Sequence, residues 1–139
     1  MKPRKPIRKR SKSPMAKLKA EAWKVFSIYT RQNGMDKKGF NECYTCRAKL
    51  HWKVLQAGHF VPRTHNATFL DEMNVKPQCF ADNVWKRGAS HEFSKRLIEE
   101  YGLDLFNALI EKGRTIKKFT EQELKDLITR YSILNRVRG

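Results

Sequence analysis

The stretch QAGHFVPRTHNATFLDEMNVKPQCFADN, residues 56–83, concentrates the side chains able to carry chemistry in this 139-residue chain. His59 follows the small pair Ala57-Gly58, Asn74 lies five residues before a cysteine, and Asn83 lies four residues after that cysteine. A histidine can act as a base, and asparagine oxygens can orient a loop or hold a metal ion. The spacing therefore predicts that the rest of the chain is built to hold this segment.

Three cysteines indicate a structural zinc site. Cys43 and Cys46 have the C-x-x-C spacing that lets two thiolates reach one Zn²⁺ from a tight turn. Cys79 lies 33 residues after Cys46, and Asp82 follows where a second C-x-x-C would place its last cysteine. Zinc accepts carboxylate oxygen, although three thiolates with one carboxylate is an unusual structural set. Ordinary buried thiols without metal are the alternative, and the other candidate fourth ligands are His51 and His91.

Around these ligands the pattern predicts two strands followed by a helix. Residues 50–57 carry β-formers in loose alternation and predict a strand that ends at Gly58-His59. Residues 62–73 read as a loop, and residues 74–78 read as a short returning strand. Asp82 and Asn83 would open a helix that is interrupted near Gly88. This order predicts that His59 and Asn83 face each other across a divalent ion.

Such a constellation suits metal-assisted cleavage of a phosphodiester bond. An imidazole with a pKa near its ordinary value of about 6.5 can accept a proton at neutral pH, so the reaction rate should rise through pH 6–7. Mg²⁺ or Mn²⁺ prefers oxygen ligands, which an asparagine carbonyl can supply. Arg63, four residues after His59, could contact a phosphate or could be a solvated loop charge.

Composition points to a polyanionic partner. The chain has 30 Lys and Arg against 14 Asp and Glu, a formal net charge of +16. An odd number of cysteines and the absence of an apolar N-terminal run argue against disulfides and a signal peptide. No segment approaches the roughly 20 apolar residues of a membrane span. We therefore expect a soluble protein of the cytoplasm with no membrane partner.

Much of the positive charge lies at the N-terminus. Residues 1–13 are proline-broken, contain no acid and have few large apolar groups, so we expect a disordered basic tail. It could track phosphates and release counterions on binding DNA, or it could serve only solubility. The candidate DNA-binding side chains in it are Lys2, Arg4, Lys5, Arg8, Lys9 and Arg10.

The flanking segments read as helices in an α+β fold with one domain, residues 14–139. Ser13-Pro14 predicts a helix N-cap, and apolar residues recur at helical spacing through residues 14–33. Residues 90–139 read as helices with a capping box at Thr120 and Glu123. Basic and acidic residues are nearly balanced there, which indicates a packing or homodimer surface. The zinc-bearing core would span residues 43–88.

Several motifs, in order, resemble the phage recombination protein family NinG, also called Rap. They are FSIYTRQ, CYTC, LQAGHFVPR, DExNVKPQC, an asparagine five residues before a glycine, and LIEEYG. The C-x-x-C pair, Gln78-Cys79 and the following asparagine are also similar to those of zinc-stapled endonuclease VII-type Holliday-junction resolvases. The resemblance covers roughly residues 25–102.

The resemblance implies an HNH, or ββα-metal, nuclease core with a treble-clef-like zinc site. By motif, His59 matches the base that deprotonates the attacking water, and Asn74 matches the asparagine that holds the histidine loop. Asn83 matches a ligand of the catalytic Mg²⁺ or Mn²⁺. The three cysteines match zinc thiolates.

Three positions depart from these patterns. Gly58 stands where many HNH enzymes have an Asp or His metal ligand, although glycine is usual in the NinG pattern. Asp82 stands where a fourth zinc cysteine is normal, and Ala89 stands where we would expect asparagine. The first two leave the catalytic metal with few ligands and the zinc site unconventional.

We therefore expect a metal-dependent DNA endonuclease acting on branched or single-strand-containing DNA in phage recombination. The alternative is a recombination accessory protein that binds branched DNA without cutting it. An RNA-binding zinc protein would explain the basic tail but would leave His59 and both asparagines unused. Phage or host recombination proteins are the expected protein partners, in the host cytoplasm.

Overall fold

The computed structural model describes residues 1–138 and has an α+β architecture. The helices are α1 (Pro14–Gln32), α2 (Asn66–Phe69), α3 (Ser90–Tyr101), α4 (Leu103–Gly113) and α5 (Glu121–Arg138). The strands are β1 (Phe40–Glu42), β2 (Lys49–His51), β3 (Gln56–His59) and β4 (Val75–Gln78), and a π-helical turn spans Ala81–Trp85. Residues 1–13 are exposed and have no regular secondary structure.

The four strands form two separate antiparallel hairpins. In one, β1 pairs with β2 so that Phe40 lies opposite His51. In the other, β3 pairs with β4, which sets Gln56 opposite Gln78 and His59 opposite Val75. The predicted single strand over residues 50–57 is therefore wrong: it splits into β2 and β3. Because each half pairs with a different partner, the chain turns between them, with Leu55 buried at 2% exposure.

Helix α1 begins as its sequence predicts. The Ser13 hydroxyl accepts a hydrogen bond from the backbone N–H of Ala16 at 3.2 Å, and Pro14 occupies the first turn, where its missing N–H costs nothing. The apolar face of the helix buries Phe26 and Tyr29 against Val75 and Tyr131. Helix α1 is thus the packing partner of both the β3–β4 hairpin and α5.

The C-terminal helices close the fold within the chain. The side chain of Asn135 on α5 donates to the carbonyl of Val25 on α1 at 2.9 Å. The predicted capping box forms, because the Thr120 hydroxyl accepts from Glu123 N–H at 3.1 Å and the Glu123 carboxylate accepts from Thr120 N–H. Helices α3 and α4 build a second core on Tyr44, whose members are Phe93, Leu97, Phe106 and Leu109.

Two local features bear on expectations from the sequence, one in the predicted loop at residues 62–73 and one at Ala89. The predicted loop at residues 62–73 contains the one-turn helix α2, which buries Thr68 and Phe69. Ala89 has a left-handed backbone, φ 48° and ψ 54°, the conformation that asparagine tolerates better than alanine.

In the described part of the chain, no helix combines the length and the apolar character that crossing a membrane requires.

Candidate metal centre and histidine pocket

Four ligand atoms from two chain segments converge on one point. Cys43 and Cys46 lie on the turn after β1, and Cys79 and Asp82 lie at the end of β4 and in the π-helical turn. The ligand atoms all lie within 4.8 Å of one another. They are close enough to bind one metal ion, and the cluster therefore joins the two hairpins.

Two of the ligand–ligand distances fit a tetrahedral ion. Cys46 Sγ lies 3.7 Å from Cys79 Sγ, and Cys43 Sγ lies 3.8 Å from the Asp82 carboxylate. Two zinc–sulfur bonds at a tetrahedral angle would place their sulfurs about 3.8 Å apart. Cysteines and a carboxylate at these separations fit the donor set of a borderline-soft divalent ion.

Backbone N–H groups favour the thiolate form of Cys43, whereas burial raises the pKa of the Cys46 thiol. Cys43 Sγ accepts N–H groups from Cys79 at 3.2 Å and from Cys46 at 3.5 Å. Burial by itself would raise the pKa of the Cys43 thiol, but these donors and the backbone N–H of Thr45 act against it and the pKa is lowered. Thiolates are the form that a metal binds.

Asp82 takes the fourth position that the sequence left open. Its buried carboxylate accepts the Thr45 hydroxyl at 2.6 Å and forms an ion pair with Lys86 at 3.4 Å. His51 instead lies on the β1–β2 hairpin beside Gly39 and Phe40, and His91 is exposed at the start of α3. Asp82, and neither histidine, thus completes the cluster.

His59, at the end of β3, packs against two aromatic rings. Its imidazole stacks on Trp23 with ring centroids 4.9 Å apart and on Phe69 with centroids 5.4 Å apart. Its Nε2 lies 3.0 Å from the Phe69 carbonyl oxygen. A carbonyl can only accept, so Nε2 carries the hydrogen and the neutral ring keeps its lone pair on Nδ1. Within residues 1–138 nothing hydrogen-bonds Nδ1, so this nitrogen is free to take a proton.

Burial holds the imidazole neutral. It lowers the pKa of His59 to about 4, with a smaller contribution from the positive charge of Arg63 that the Phe69 hydrogen bond opposes. The expectation of an ordinary histidine pKa is therefore wrong, because the sequence could not show the two rings that desolvate the side chain. The neutral, proton-accepting form is populated across the whole physiological pH range.

Asn74 fixes the loop that follows His59. The side chain is fully buried. Its Oδ1 accepts the N–H of Val61 at 2.7 Å, and its Nδ2 donates to the carbonyls of Val61 at 3.0 Å and Thr68 at 2.9 Å. Asn74 therefore ties both ends of residues 61–68 to the start of β4, and the loop presents the carbonyl of the adjacent Phe69 to His59.

Asn83 lies on the π-helical turn beside β3. Its backbone N–H bonds the Cys79 carbonyl at 3.0 Å, and its Nδ2 donates to Gln56 Oε1 at 2.7 Å. Its Oδ1 lies 3.0 Å from the point where a Cβ on Gly58 would be. The metal-binding cluster thus positions an amide oxygen next to the residue that precedes His59.

Comparison with known proteins adds a family to this geometry. The family model described as "Bacteriophage Lambda NinG protein" matches residues 2–137. The chain belongs to the NinG family. No curated protein and no solved structure gives a significant match. The match spans nearly the whole of this NinG-family protein. It includes the basic N-terminal residues and the C-terminal helices as well as the cluster and the histidine pocket.

Arg63 lies at the pocket rather than on a remote loop. Its guanidinium sits 5.6 Å from the Trp23 ring and 5.7 Å from the Phe69 ring, the two rings that contact His59. Cation–π contact with both rings holds the charge beside the imidazole. The N-terminal side chains Lys2, Arg4, Lys5, Arg8, Lys9 and Arg10 are exposed in the irregular segment before α1.

Sequence reasoning missed four side chains of this region. Trp23 lies between apolar positions of α1 and gave no signal other than its type. Thr45, Gln56 and Gln78 are polar residues that short-range patterns leave unassigned. No sequence signal could have found Gln78, because its neighbours Lys76 and Pro77 in β4 are only partly buried and its own burial appears only in the structure.

An exposed aromatic pair lies at the two ends of the π-helical turn. Trp85 is 76% exposed and Phe80 is 48% exposed, and their rings meet edge to face with centroids 5.6 Å apart. Lys86 and Arg87 follow directly and are exposed. Exposed aromatics flanked by cations are a suitable surface for stacked nucleic-acid bases.

Proposed function

We propose that this NinG-family chain is a metal-dependent DNA endonuclease of the HNH type. It would have a zinc-stapled ββα-metal, treble-clef-like core and act on branched or single-strand-containing DNA in phage recombination. The observation that carries the proposal is the free Nδ1 of a neutral, fixed His59 imidazole beside a cationic side chain. A base that must accept a proton from water needs this tautomer and this access.

Zinc is the ion that the donor set of the Cys43, Cys46, Cys79 and Asp82 cluster favours. Its proposed role is to fix the fold, because all four positions would be filled by protein ligands. Asp82 and Cys79 then hold the π-helical turn, and with it Asn83, against β3. The zinc site therefore supports the chemistry without taking part in it.

The catalytic ion would be Mg²⁺ or Mn²⁺, with Asn83 Oδ1 as one ligand. When bound, such an ion stabilises the charge that develops on the leaving 3′ oxygen. His59 Nδ1 accepts the proton of the attacking water, and Asn74 keeps the ring in place through the loop that bears Phe69. Arg63 binds a phosphate of the substrate next to the ring.

The low pKa of His59 has a consequence for substrate binding. In the free protein a pKa of about 4 makes the imidazole a weak base. A bound phosphate brings negative charge beside the ring and neutralises Arg63, and both changes raise the pKa of His59. DNA binding would therefore strengthen the base that cleaves it.

One feature supports a nucleic-acid substrate and a second supports unpaired bases in it. The net charge of +16 suits a nucleic-acid backbone, and the Phe80–Trp85 pair offers a stacking surface on the turn that carries Asn83. Linear duplex has no free base to place on these rings.

Homodimerisation and contacts with phage or host recombination proteins stay predictions.

The test uses labelled four-way, flap, single-stranded and linear duplex DNA with the zinc-loaded protein. Reactions contain Mg²⁺ or Mn²⁺, and the control omits both ions, because EDTA would also extract metal from the cysteine cluster. We expect cleavage of the branched substrates and a loss of 100-fold or more, about the contribution of a general base, in His59→Phe. Phenylalanine keeps a flat ring against Trp23 and Phe69 but has no nitrogen.

A matched pair tests the substrate class. Trp85→Ala should weaken binding to flap and single-stranded DNA by about 5- to 150-fold, the range for one lost base stack, and should leave linear duplex binding nearly unchanged. Val84→Ala, at the neighbouring exposed position, should change neither. Equal losses on all DNAs would remove the stacking role.

A second candidate is an accessory protein that binds branched DNA without cutting it. The observation that favours it is Gly58, which supplies no carboxylate beside Asn83. Tight binding of four-way DNA with no cleavage under any of these ions would establish this second function and overturn the first. Cleavage by His59→Phe at the wild-type rate would instead reject His59 as the base.

A further inference from the structure

Gln78 is a buried amide whose orientation is fixed. The side chain, at the end of β4, is fully inaccessible to solvent. Its Nε2 donates to the Gly88 carbonyl at 2.9 Å and to the Thr45 hydroxyl at 3.1 Å. A carbonyl cannot donate, so the nitrogen must face Gly88, and both of its hydrogens are used.

This orientation leaves Gln78 Oε1 without a partner among residues 1–138. A buried acceptor with no donor costs about 1–3 kcal/mol, and native proteins rarely leave one unexplained. A buried oxygen aimed at a defined point in a site indicates a water or a cation at that point.

The point is the space next to Gly58. A Cβ built on Gly58 would lie 1.8 Å from Gln78 Oε1 and 3.0 Å from Asn83 Oδ1. The first distance is far below contact, so any side chain at this position would displace the glutamine. Two amide oxygens therefore lie within 3.0 Å of the point that the Cβ of any other residue would occupy.

We propose that Gln78 Oε1, which the absence of a side chain at Gly58 admits, is a ligand of the catalytic divalent cation together with Asn83 Oδ1. The inference rests on the proposed function and deepens it. It accounts for the missing carboxylate: a carbonyl oxygen from the neighbouring strand takes its place, and Gly58 is required because that oxygen lies over its Cα.

Two neutral ligands have a predictable consequence. Hard cations bind carbonyl oxygens, but carboxylates and phosphates supply the charge that holds Mg²⁺ tightly. The site should bind Mg²⁺ or Mn²⁺ weakly in the free protein and more tightly when a DNA phosphate adds negative charge. Metal and DNA would then bind with positive coupling.

The experiment is a Mn²⁺ titration of full-length, zinc-loaded protein followed by paramagnetic broadening of backbone amide NMR signals. We expect the amide signals of Gly58 and His59 to broaden first. In Gln78→Met, which keeps the volume but has no oxygen, the apparent affinity at these signals should fall at least tenfold. Zinc content and the remaining spectrum report whether the variant is folded.

A rescue separates ligand loss from structural damage, because Gln78 also braces Gly88 and Thr45. Gly58→Asp with Gln78→Ala removes the clash and places a carboxylate beside Asn83. This double variant should regain Mn²⁺ affinity to the wild-type level or beyond. Gly58→Ala with Gln78→Ala, which removes the same amide and adds no oxygen, should not.

Two results would overturn the inference. One is equal broadening in Gln78→Met and wild type. The other is absence of local broadening in wild type, which is expected if the Asn83 amide turns over and donates to Gln78 Oε1 itself. Metal binding at Gly58 in a protein that cuts no DNA would keep the inference and reject the nuclease. Cleavage with unchanged metal dependence in Gln78→Met would reject Gln78 as a metal ligand and keep the nuclease.

Discussion

The cysteine cluster and the pocket formed by His59, Gln78 and Asn83 adjoin each other in the fold but differ in what they leave free. In the cluster, four ligand atoms face one another and backbone N–H groups turn toward the sulfurs. In the pocket, His59 Nδ1, Gln78 Oε1 and Asn83 Oδ1 are acceptors with no donor among the described residues. A closed ligand set stabilises a fold, whereas an open one can bind something else.

One side chain joins the two centres. The Thr45 hydroxyl donates to Asp82 of the cluster and accepts from Gln78 of the pocket. Because a hydroxyl can donate and accept at once, the position of the pocket amide depends on the cluster carboxylate. The comparison teaches that the closed centre fixes the geometry that the open centre needs.

The largest effect should follow from opening the cluster. Cys79→Ser should lose the metal and most of the folded structure, because a metal site that joins two hairpins contributes its binding free energy to folding. Asp82→Asn, which keeps one side-chain oxygen, should retain part of the metal and part of the folded structure. Elemental analysis and far-UV circular dichroism measure the two quantities. A metal-free wild type, or a Cys79→Ser protein as stable as wild type, would refute the structural role of the cluster.

The next effect concerns the pocket and is pH-dependent. The pKa of His59 is about 4 in the folded protein and near 6.5 when unfolded, so the unfolded state binds the proton more readily. Stability should therefore fall as the pH drops from about 6.5 to about 4, by up to about 3 kcal/mol. Urea unfolding of wild type and His59→Phe across this window isolates the contribution, since carboxylates titrate in both. Parallel curves would show that His59 is not desolvated.

A smaller effect should come from cutting the link between the centres. Thr45→Val removes the donor to Asp82 and the acceptor for Gln78 but keeps the side-chain volume, and should cost about 1–2 kcal/mol. Thr45→Ser keeps the hydroxyl and is the matched control. Thermal unfolding gives the stability, and zinc release to a chelator should be faster in the valine variant only. Equal release rates would mean that the two centres are independent.

The smallest effect on stability should come from residues that touch neither centre. Deleting residues 1–12, which leaves the Ser13 cap of α1 in place, removes seven positive charges and should change stability by less than about 0.5 kcal/mol. DNA affinity should nevertheless fall for every DNA shape, and the log–log salt slope should flatten by several units, since each phosphate contact adds roughly 0.7–0.9. An unchanged slope would assign this segment to solubility alone.

The cluster and the elements around it were largely readable from the sequence. Metal-ligand spacing, helix caps and capping boxes are local, because they depend on residues three or four positions apart. For this reason the positions of Cys43, Cys46 and Ser13, and the box at Thr120, followed from short-range patterns. To predict Cys79 and Asp82 as ligands, we needed only the further assumption that a second pair with C-x-x-C-like spacing binds the same ion as the first.

Only the tertiary structure decided the state of the pocket. The rings that lower the pKa of His59 come from α1 and α2, and no local sequence pattern places either of them beside His59. Gln78 Oε1, which lies near Asn83 beside Gly58, comes from β4. The pairing register of β3 with β4 cannot be read from the sequence. Desolvation and unsatisfied hydrogen bonds are properties of packing between distant segments. The sequence by itself determined which groups are present, and the packing of those segments decided which of them are left free to react.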